Sequence, residues 1–292
     1  MPDLERVAFI GLGIMGRPMA HHLLEAGFPL AVHSRSPGPV DELVAAGAVR
    51  AGSASEAARA STVVITMLPD TPDVEQVLLG EEGVGSGAAT GTLVIDMSTI
   101  DPAPTRVIAE TLGANGVEML DAPVSGGEKG AVEGTLSIMV GGSAEGFARA
   151  LPLFQAMGSN IVHVGPSGAG QVTKACNQLV VAATIEAVAE ALVLAERCGV
   201  DPAKVRQALV GGFAGSKILE VHGQRMLDRA FEPGFRARLH RKDARIVLDA
   251  ARENGASIPS FEVVAAQLDR LVDDAGRGDL DHSALFTLLD EA

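Results

Sequence analysis

A chain of 292 residues, 47% of them hydrophobic, is long enough for about two cored domains. Its net charge of -14 argues against nucleic acid or an anionic membrane surface as a partner. Aromatic residues make up 3%, with no Trp or Tyr, so the cores must be built from Ala, Val, Leu, Ile and Met.

In chain order, the start Met1-Pro2-Asp3-Leu4-Glu5-Arg6 is polar and runs straight into a strand, which is not the pattern of a signal peptide. Val7–Ile10 is that strand. It leads into Gly11-Leu12-Gly13-Ile14-Met15-Gly16 and then a helical pattern to about Ala26. In this strand–turn–helix setting Gly11 permits a tight turn, Gly13 lets a pyrophosphate approach the backbone, and Gly16 lets helix and strand pack closely. The phosphates would meet the helix N-terminus. A second strand, Pro29–His33, is followed by Ser34-Arg35-Ser36 where an NAD-binding unit usually places a carboxylate for the ribose 2′-hydroxyl. A guanidinium and two hydroxyls suit a 2′-phosphate, so NADP is expected, with NAD as the alternative.

The α/β alternation continues with apolar strands at Val63–Leu68 and Leu93–Met97. Strand ends of such sheets line the ligand crevice, so Met67, Leu68, Pro69, Ser98 and Thr99 are expected beside the cofactor. Further strands are expected at Glu118–Ala122, Leu136–Val140 and Ile161–Val164. The first ends in Pro123-Val124-Ser125-Gly126-Gly127, a turn whose hydroxyl and backbone N–H groups suit an anion. The composition shifts at Gly165–Gly170, which places a domain boundary between a dinucleotide-binding part, 1–165, and a helical part, 166–292.

Gly170 opens an Ala-rich helical pattern to about Cys198. Lys174, Asn177 and Gln178 share one face of it at i, i+3 and i+4. Burial suits a lysine to proton transfer near neutrality, although a lysine on such a helix also snorkels to water. The helix looks apolar all round, which predicts burial on every side and hence a partner subunit, as a homodimer or homotetramer. No apolar run approaches the about 18 residues that span a bilayer. Cys176 and Cys198 lie about 33 Å apart on this helix at ~1.5 Å per residue, too far to bridge, so a reducing cytoplasm is expected. Helical patterns follow at 202–210, 216–229, 240–254, 259–275 and 282–290. Among them Arg236, Arg238 and Arg241 read as a solvated face, and Lys242-Asp243 as a pair. The histidines show no metal-ligand spacing, and no metal is expected.

Taken together, Phe9–Ala20, Asp121–Gly127, Gly168-Ala169-Gly170 through Lys174 to Asn177-Gln178, and Lys242-Asp243 resemble the β-hydroxyacid dehydrogenase family over essentially the whole chain. The resemblance implies an α/β fold, with an N-terminal Rossmann-type doubly wound sheet followed by an all-α C-terminal domain. It also implies hydride transfer between a nicotinamide cofactor and a small anionic hydroxyacid or aldehyde, here a 2-hydroxy-3-oxo acid. Lys174 is implied as the catalytic lysine, Ser125, Gly126, Gly127 and Asn177 as substrate contacts, Thr99 and Lys242 as contacts near the nicotinamide, and Asp243 as the partner holding Lys242. A dinucleotide-binding module without chemistry is the alternative class, against which Lys174 counts.

Overall fold

The computed structural model describes residues 4–291; Met1-Pro2-Asp3 at the polar start lie outside the described residues. The chain divides into two compact units, the first ending at Lys174 and the second beginning at Ala175. The change falls inside one helix rather than at the composition shift before it.

The first unit alternates strand and helix. Its elements are β1 Val7–Ile10, α1 Gly16–Glu25, β2 Leu30–His33, α2 Pro37–Ala45, β3 Val49–Arg50, α3 Ala54–Arg59, β4 Val63–Thr66, α4 Thr71–Leu79, α5 Val84–Gly87, β5 Leu93–Asp96 and α6 Pro102–Gly113. There follow β6 Glu118–Asp121, β7 Val124–Ser125, α7 Gly127–Val132, β8 Leu136–Gly141, α8 Ala144–Met157 and β9 Gly158–Gly165. The described strands form one sheet in the order β3-β2-β1-β4-β5-β6-β8-β7, with β9 on β8. Pairing is parallel from β3 to β6 and turns antiparallel where β8 meets β6 and β7. Strands β1, β4 and β5 are buried along their whole length. That is why they read as continuous apolar runs: helices cover both faces of a parallel sheet. One face packs Phe9, Ile65 and Phe154, the other Ile10, Val64 and Ile108. The short strands β3 and β7 are too brief to leave a periodic signal in the sequence.

A single helix, α9 Ala169–Arg197, runs from the first unit into the second. By length and composition it is apolar enough to cross a membrane, contrary to the reading of its sequence. Its Ala182, Ile185, Ala189 and Leu192 instead belong to the core of the second unit. In the single chain Val180 and Leu194 of this helix are 60% and 65% exposed, the surface that the expected partner subunit would have to cover.

The second unit continues with α10 Pro202–Val210, α11 Lys217–Asp228, α12 Ala237–Glu253 and α13 Pro259–Asp269, which passes into a π-turn over Arg270–Asp274. A 3₁₀ turn at His282–Leu285 and α14 Phe286–Asp290 close it. Asp201 and Ser216 cap α10 and α11 through backbone N–H groups at Ala203 and Leu219. Arg236 and Arg238 pair with Asp279, and Arg241 with Asp273, so this basic run is a solvated, ion-paired face.

What ties these helices together is a buried cluster that sequence spacing does not reveal. His282 Nδ1 lies 2.9 Å from His240 Nδ1, and its Nε2 3.3 Å from His222 Nε2. His222, Asp281 and His282 bring ligand-type atoms within 4.8 Å of one another. Both Asp281 oxygens are already occupied, however. Oδ2 accepts from Gly234 N, Phe235 N and Arg225, and Oδ1 from Ser283 N and Oγ. The cluster is therefore an anchor between α11, α12 and the 3₁₀ turn. Burial, then the adjacent His240, hold the His282 imidazole well below the ordinary histidine range. Burial works against ionised Asp281, but His222, with Nδ1 3.5 Å away, and the hydrogen bonds from Ser283 Oγ and Phe235 N outweigh it and hold that carboxyl far below its usual range.

Both shifts act in the same direction. Below about pH 6.5 the unfolded His282 takes a proton that the folded residue refuses, so stability falls as pH drops. The Asp281 contribution is present above its unfolded value of about 3.9 and is lost as pH falls further. We expect denaturant stability to fall by up to about 1.4 kcal/mol per pH unit below pH 6.5, and His282→Gln to flatten that slope. An unchanged slope in the variant would remove His282 as its source.

Candidate active site

The turn after β1 is held from three sides. Gly11 N donates to His33 O at 3.0 Å, Met67 N to Ile10 O at 2.9 Å, and Leu12 N to Ser34 Oγ at 3.4 Å. Gly11 has φ +97°, and a Cβ there would lie 2.3 Å from Met67 O; a Cβ on Gly16 would lie 2.0 Å from Gly11 O. Only glycine allows β1, β4 and α1 to approach this closely. At Gly13 a Cβ would meet nothing within 4 Å, so its backbone faces open space in front of α1. Ile14 is 53% exposed on the same turn, with Met15 half-buried behind it. A glycine cradle with free space ahead of a helix N-terminus fits a dinucleotide pyrophosphate. Beyond β2, Ser34 is half-buried while Arg35 and Ser36 are exposed, Arg35 lying 3.6 Å from Asp73 Oδ1.

The strand ends beside this turn are organised by a carboxylate. Asp96 closes β5 fully buried, accepting from Thr66 Oγ1 at 2.8 Å, Ser98 Oγ at 2.6 Å and Ser98 N at 3.2 Å. Burial pushes it up to about 6 against those hydrogen bonds. Ser98 Oγ in turn accepts from Leu68 N at 2.9 Å, which joins the Met67-Leu68-Pro69 and Ser98-Thr99 segments.

A second carboxylate closes β6 and receives the start of α9. Asp121 Oδ1 accepts from Gly168 N at 2.7 Å and Oδ2 from Gln171 N at 2.9 Å. This is an anion at a helix N-terminus, where it meets unpaired N–H groups and the positive end of the dipole. Gly170 lies flush on the sheet: a Cβ there would be 2.4 Å from Met139 O and 2.6 Å from Asp121 O. Gln171, 1% exposed, donates to Ser98 O at 2.8 Å and accepts from Ile100 N at 3.2 Å, bracketing Thr99. Lys174, one turn on, is 7% exposed. Ser125 lies in β7 opposite Ser137 of β8, and Gly126 and Gly127, with φ +139° and +61°, turn the chain into α7.

Within the second unit a separate set converges. Asn177 Nδ2 donates to Gln178 Oε1 at 2.8 Å, Gln178 Nε2 to Asp243 Oδ2 at 2.5 Å, and Lys242 Nζ lies 3.0 Å from Asp243 Oδ1. Gln178 and Asp243 are buried at 4% and 2% exposure, while Asn177 and Lys242 are half-buried. The expected residues therefore fall into two groups: the glycine turn, strand ends, Ser-Gly-Gly turn and Lys174 in the first unit, and Asn177 and Lys242 in the second. Sequence reasoning passed over Asp96, Asp121 and Gln171. For the two aspartates the signal is an acidic residue ending a buried strand, a costly placement unless donors await it.

A glycine cradle on a doubly wound parallel sheet, with a buried lysine in the same unit one turn into the helix fastened to its strand ends, defines a nicotinamide-dependent oxidoreductase. Comparison with known proteins refines this. Residues 6–165 match a family model described as the NAD binding domain of 6-phosphogluconate dehydrogenase, and 168–289 one described as the NAD-binding domain of NADP-dependent 3-hydroxyisobutyrate dehydrogenase. The chain is 48% identical to a 2-hydroxy-3-oxopropionate reductase of Escherichia coli K12, covering 98% of this chain and 97% of that one. It is 42% identical to a 3-hydroxyisobutyrate dehydrogenase of Pseudomonas aeruginosa, covering 87% of each. A solved structure of Mycobacterium tuberculosis 3-hydroxyisobutyrate dehydrogenase with L-serine superposes with a TM-score of 0.89 at 35% identity, over 98% of this chain and 99% of that one. The chain belongs to the β-hydroxyacid dehydrogenase family, as its motifs implied.

Proposed function

We propose that this chain reduces tartronate semialdehyde, a small 2-hydroxy-3-oxo acid, to glycerate, with NADP as cofactor and Lys174 as general acid. The observation that carries the reading is Lys174 itself, 7% exposed, one turn into a helix whose start is fastened to the strand ends by Asp121 and Gln171. The substrate class rests on the relative named 2-hydroxy-3-oxopropionate reductase. The nicotinamide, when bound, supplies the hydride to the carbonyl carbon. Lys174 Nζ gives its proton to the forming alkoxide and stabilises the negative charge before transfer. Ser125 and the N–H groups of Gly126 and Gly127 hold the carboxylate, and Asn177 the rest of the substrate. With a net charge of -14, the protein as a whole repels an anion, so binding depends on these local donors and on Lys242.

A second reading, oxidation of 3-hydroxyisobutyrate, is favoured by the Pseudomonas relative. Steady-state rates on tartronate semialdehyde, 3-hydroxyisobutyrate, glyoxylate and succinic semialdehyde, each with both cofactors, separate the two. The highest kcat/KM on 3-hydroxyisobutyrate would replace the first reading by the second.

For the cofactor, Arg35 is exposed and only loosely paired with Asp73, so it is available to a 2′-phosphate. Arg35→Asp should raise KM for NADP about tenfold relative to NAD, the worth of one charge-assisted contact. An unchanged ratio of the two KM values would remove Arg35 from the cofactor site.

The same proposal includes assembly and location. The exposed Val180 and Leu194 on α9 favour burial against a second copy, as a dimer or tetramer. The free Cys176 and Cys198 suit a reducing cytoplasm.

A further inference from the structure

Gln178 belongs to the helix face that carries Lys174 and Asn177, yet the reaction described above gives it no task. Its surroundings determine its orientation. Asp243 is a carboxylate and only accepts hydrogen bonds, so the Gln178 amide must turn its Nε2 toward it, at 2.5 Å. The carbonyl Oε1 is then the end that faces Asn177. It accepts from Asn177 Nδ2 at 2.8 Å, which in turn dictates which way the Asn177 amide points. The direction of each bond thus follows from the charge of Asp243, which also lies 3.0 Å from Lys242 Nζ. Both intermediaries are nearly inaccessible, at 4% exposure for Gln178 and 2% for Asp243, so water does not compete for these bonds.

One N–H of Asn177 is consumed by Gln178. What Asn177 has left is its carbonyl oxygen and one N–H. A hydroxyl, which both donates and accepts, satisfies that pair. A carboxylate meets the N–H but is repelled by the oxygen.

We propose that Gln178 is a positioning residue: held by Asp243, it fixes the Asn177 amide so that Asn177 selects a substrate hydroxyl rather than the carboxylate, and it links that selection to Lys242. The proposal rests on the reading of this chain as a reductase of small hydroxy-oxo acids.

The test compares 2-hydroxy-3-oxopropanoate with 3-oxopropanoate, which lacks the hydroxyl. Gln178→Leu should lower the ratio of their kcat/KM values about tenfold, through KM of the hydroxylated substrate, because one directed hydrogen bond is lost. Gln178→Glu places a carboxylate against Asp243 and should be at least as damaging. Adding Asp243→Asn to Gln178→Glu restores a donor facing an acceptor and keeps the local charge, so the ratio should return to within about threefold of the parent protein. A double variant no better than the worse single variant overturns the relay.

Side-chain amide NMR of the unliganded protein reads the relay without any turnover. Asn177 and Gln178 NH₂ protons should exchange slowly in the parent protein, and Asn177 quickly in Gln178→Leu. Fast exchange in the parent overturns the proposal. Slow exchange, with a hydroxyl preference unmoved by Gln178→Leu, overturns the selective role. If the parent protein turns over neither aldehyde, the reductase reading fails and with it the hydroxyl selection, while the exchange data still decide whether Gln178 positions Asn177.

Discussion

Replacing Lys174 by alanine is expected to lower kcat by at least about a hundredfold while leaving cofactor affinity nearly unchanged. The alkoxide formed by hydride delivery needs a proton and, until it arrives, a positive charge. The Lys174 ammonium supplies both from a site where solvent is largely excluded, at 7% exposure. The cofactor cradle at Gly11–Gly16 draws on β1, β4 and α1, none of which includes Lys174, so dinucleotide binding should survive. Lys174→Arg should fail as well, because a guanidinium keeps its charge but does not release a proton. Stopped-flow hydride transfer and cofactor titration by fluorescence separate the two quantities. Turnover retained in Lys174→Ala would sink the assignment of the acid, whatever the substrate.

The second large effect is expected at Asp121, a residue that touches no reactant in the proposal. Asp121→Ala should destabilise the protein by about 3 kcal/mol, because it strands the buried N–H groups of Gly168 and Gln171. It should also lower kcat about tenfold or more, since Lys174 follows one turn later and a shift of ~1 Å in a catalytic group costs up to a hundredfold. Burial raises the pKa of this carboxyl, against the hydrogen bonds from Gly168 and Gln171, so part of the loss is offset by no longer burying a charge. Urea midpoints and kcat measured on the same variant check both parts. A variant as stable and as fast as the parent would show that α9 does not depend on this anchor.

How far the sequence could be read depended on how local each feature's cause is. Strands β1, β4 and β5 announced themselves because a two-sided parallel sheet buries every residue of them. The turn at Gly11–Gly16 was legible because the steric demand on Gly11 and Gly16 excludes any Cβ. Helix α10 was expected at 202–210 and is found at Pro202–Val210, since an Asp cap followed by proline marks its start. The antiparallel arm of β7 was not visible, because a strand of two residues has no period. The apolar run of α9 was misread as too short to resemble a membrane span. Alanine and valine tolerate both a core and a half-exposed surface, so composition alone does not separate the two.

By itself the sequence determined the class of fold, the dinucleotide turn, and the lysine, Ser-Gly-Gly and Lys-Asp motifs that point to a hydroxyacid oxidoreductase. Each depends on neighbours within a few residues, whose sterics and capping chemistry act locally. Only the tertiary structure decided how those residues are held. Asp96 beneath Thr66, Asp121 under the first turn of α9, Gln171 across to Ser98, Gln178 against Asp243, and the imidazoles around Asp281 pair residues 30 to 73 positions apart. A buried polar group takes whichever donor or acceptor the fold brings to it. That choice is made by packing, after the local elements have formed.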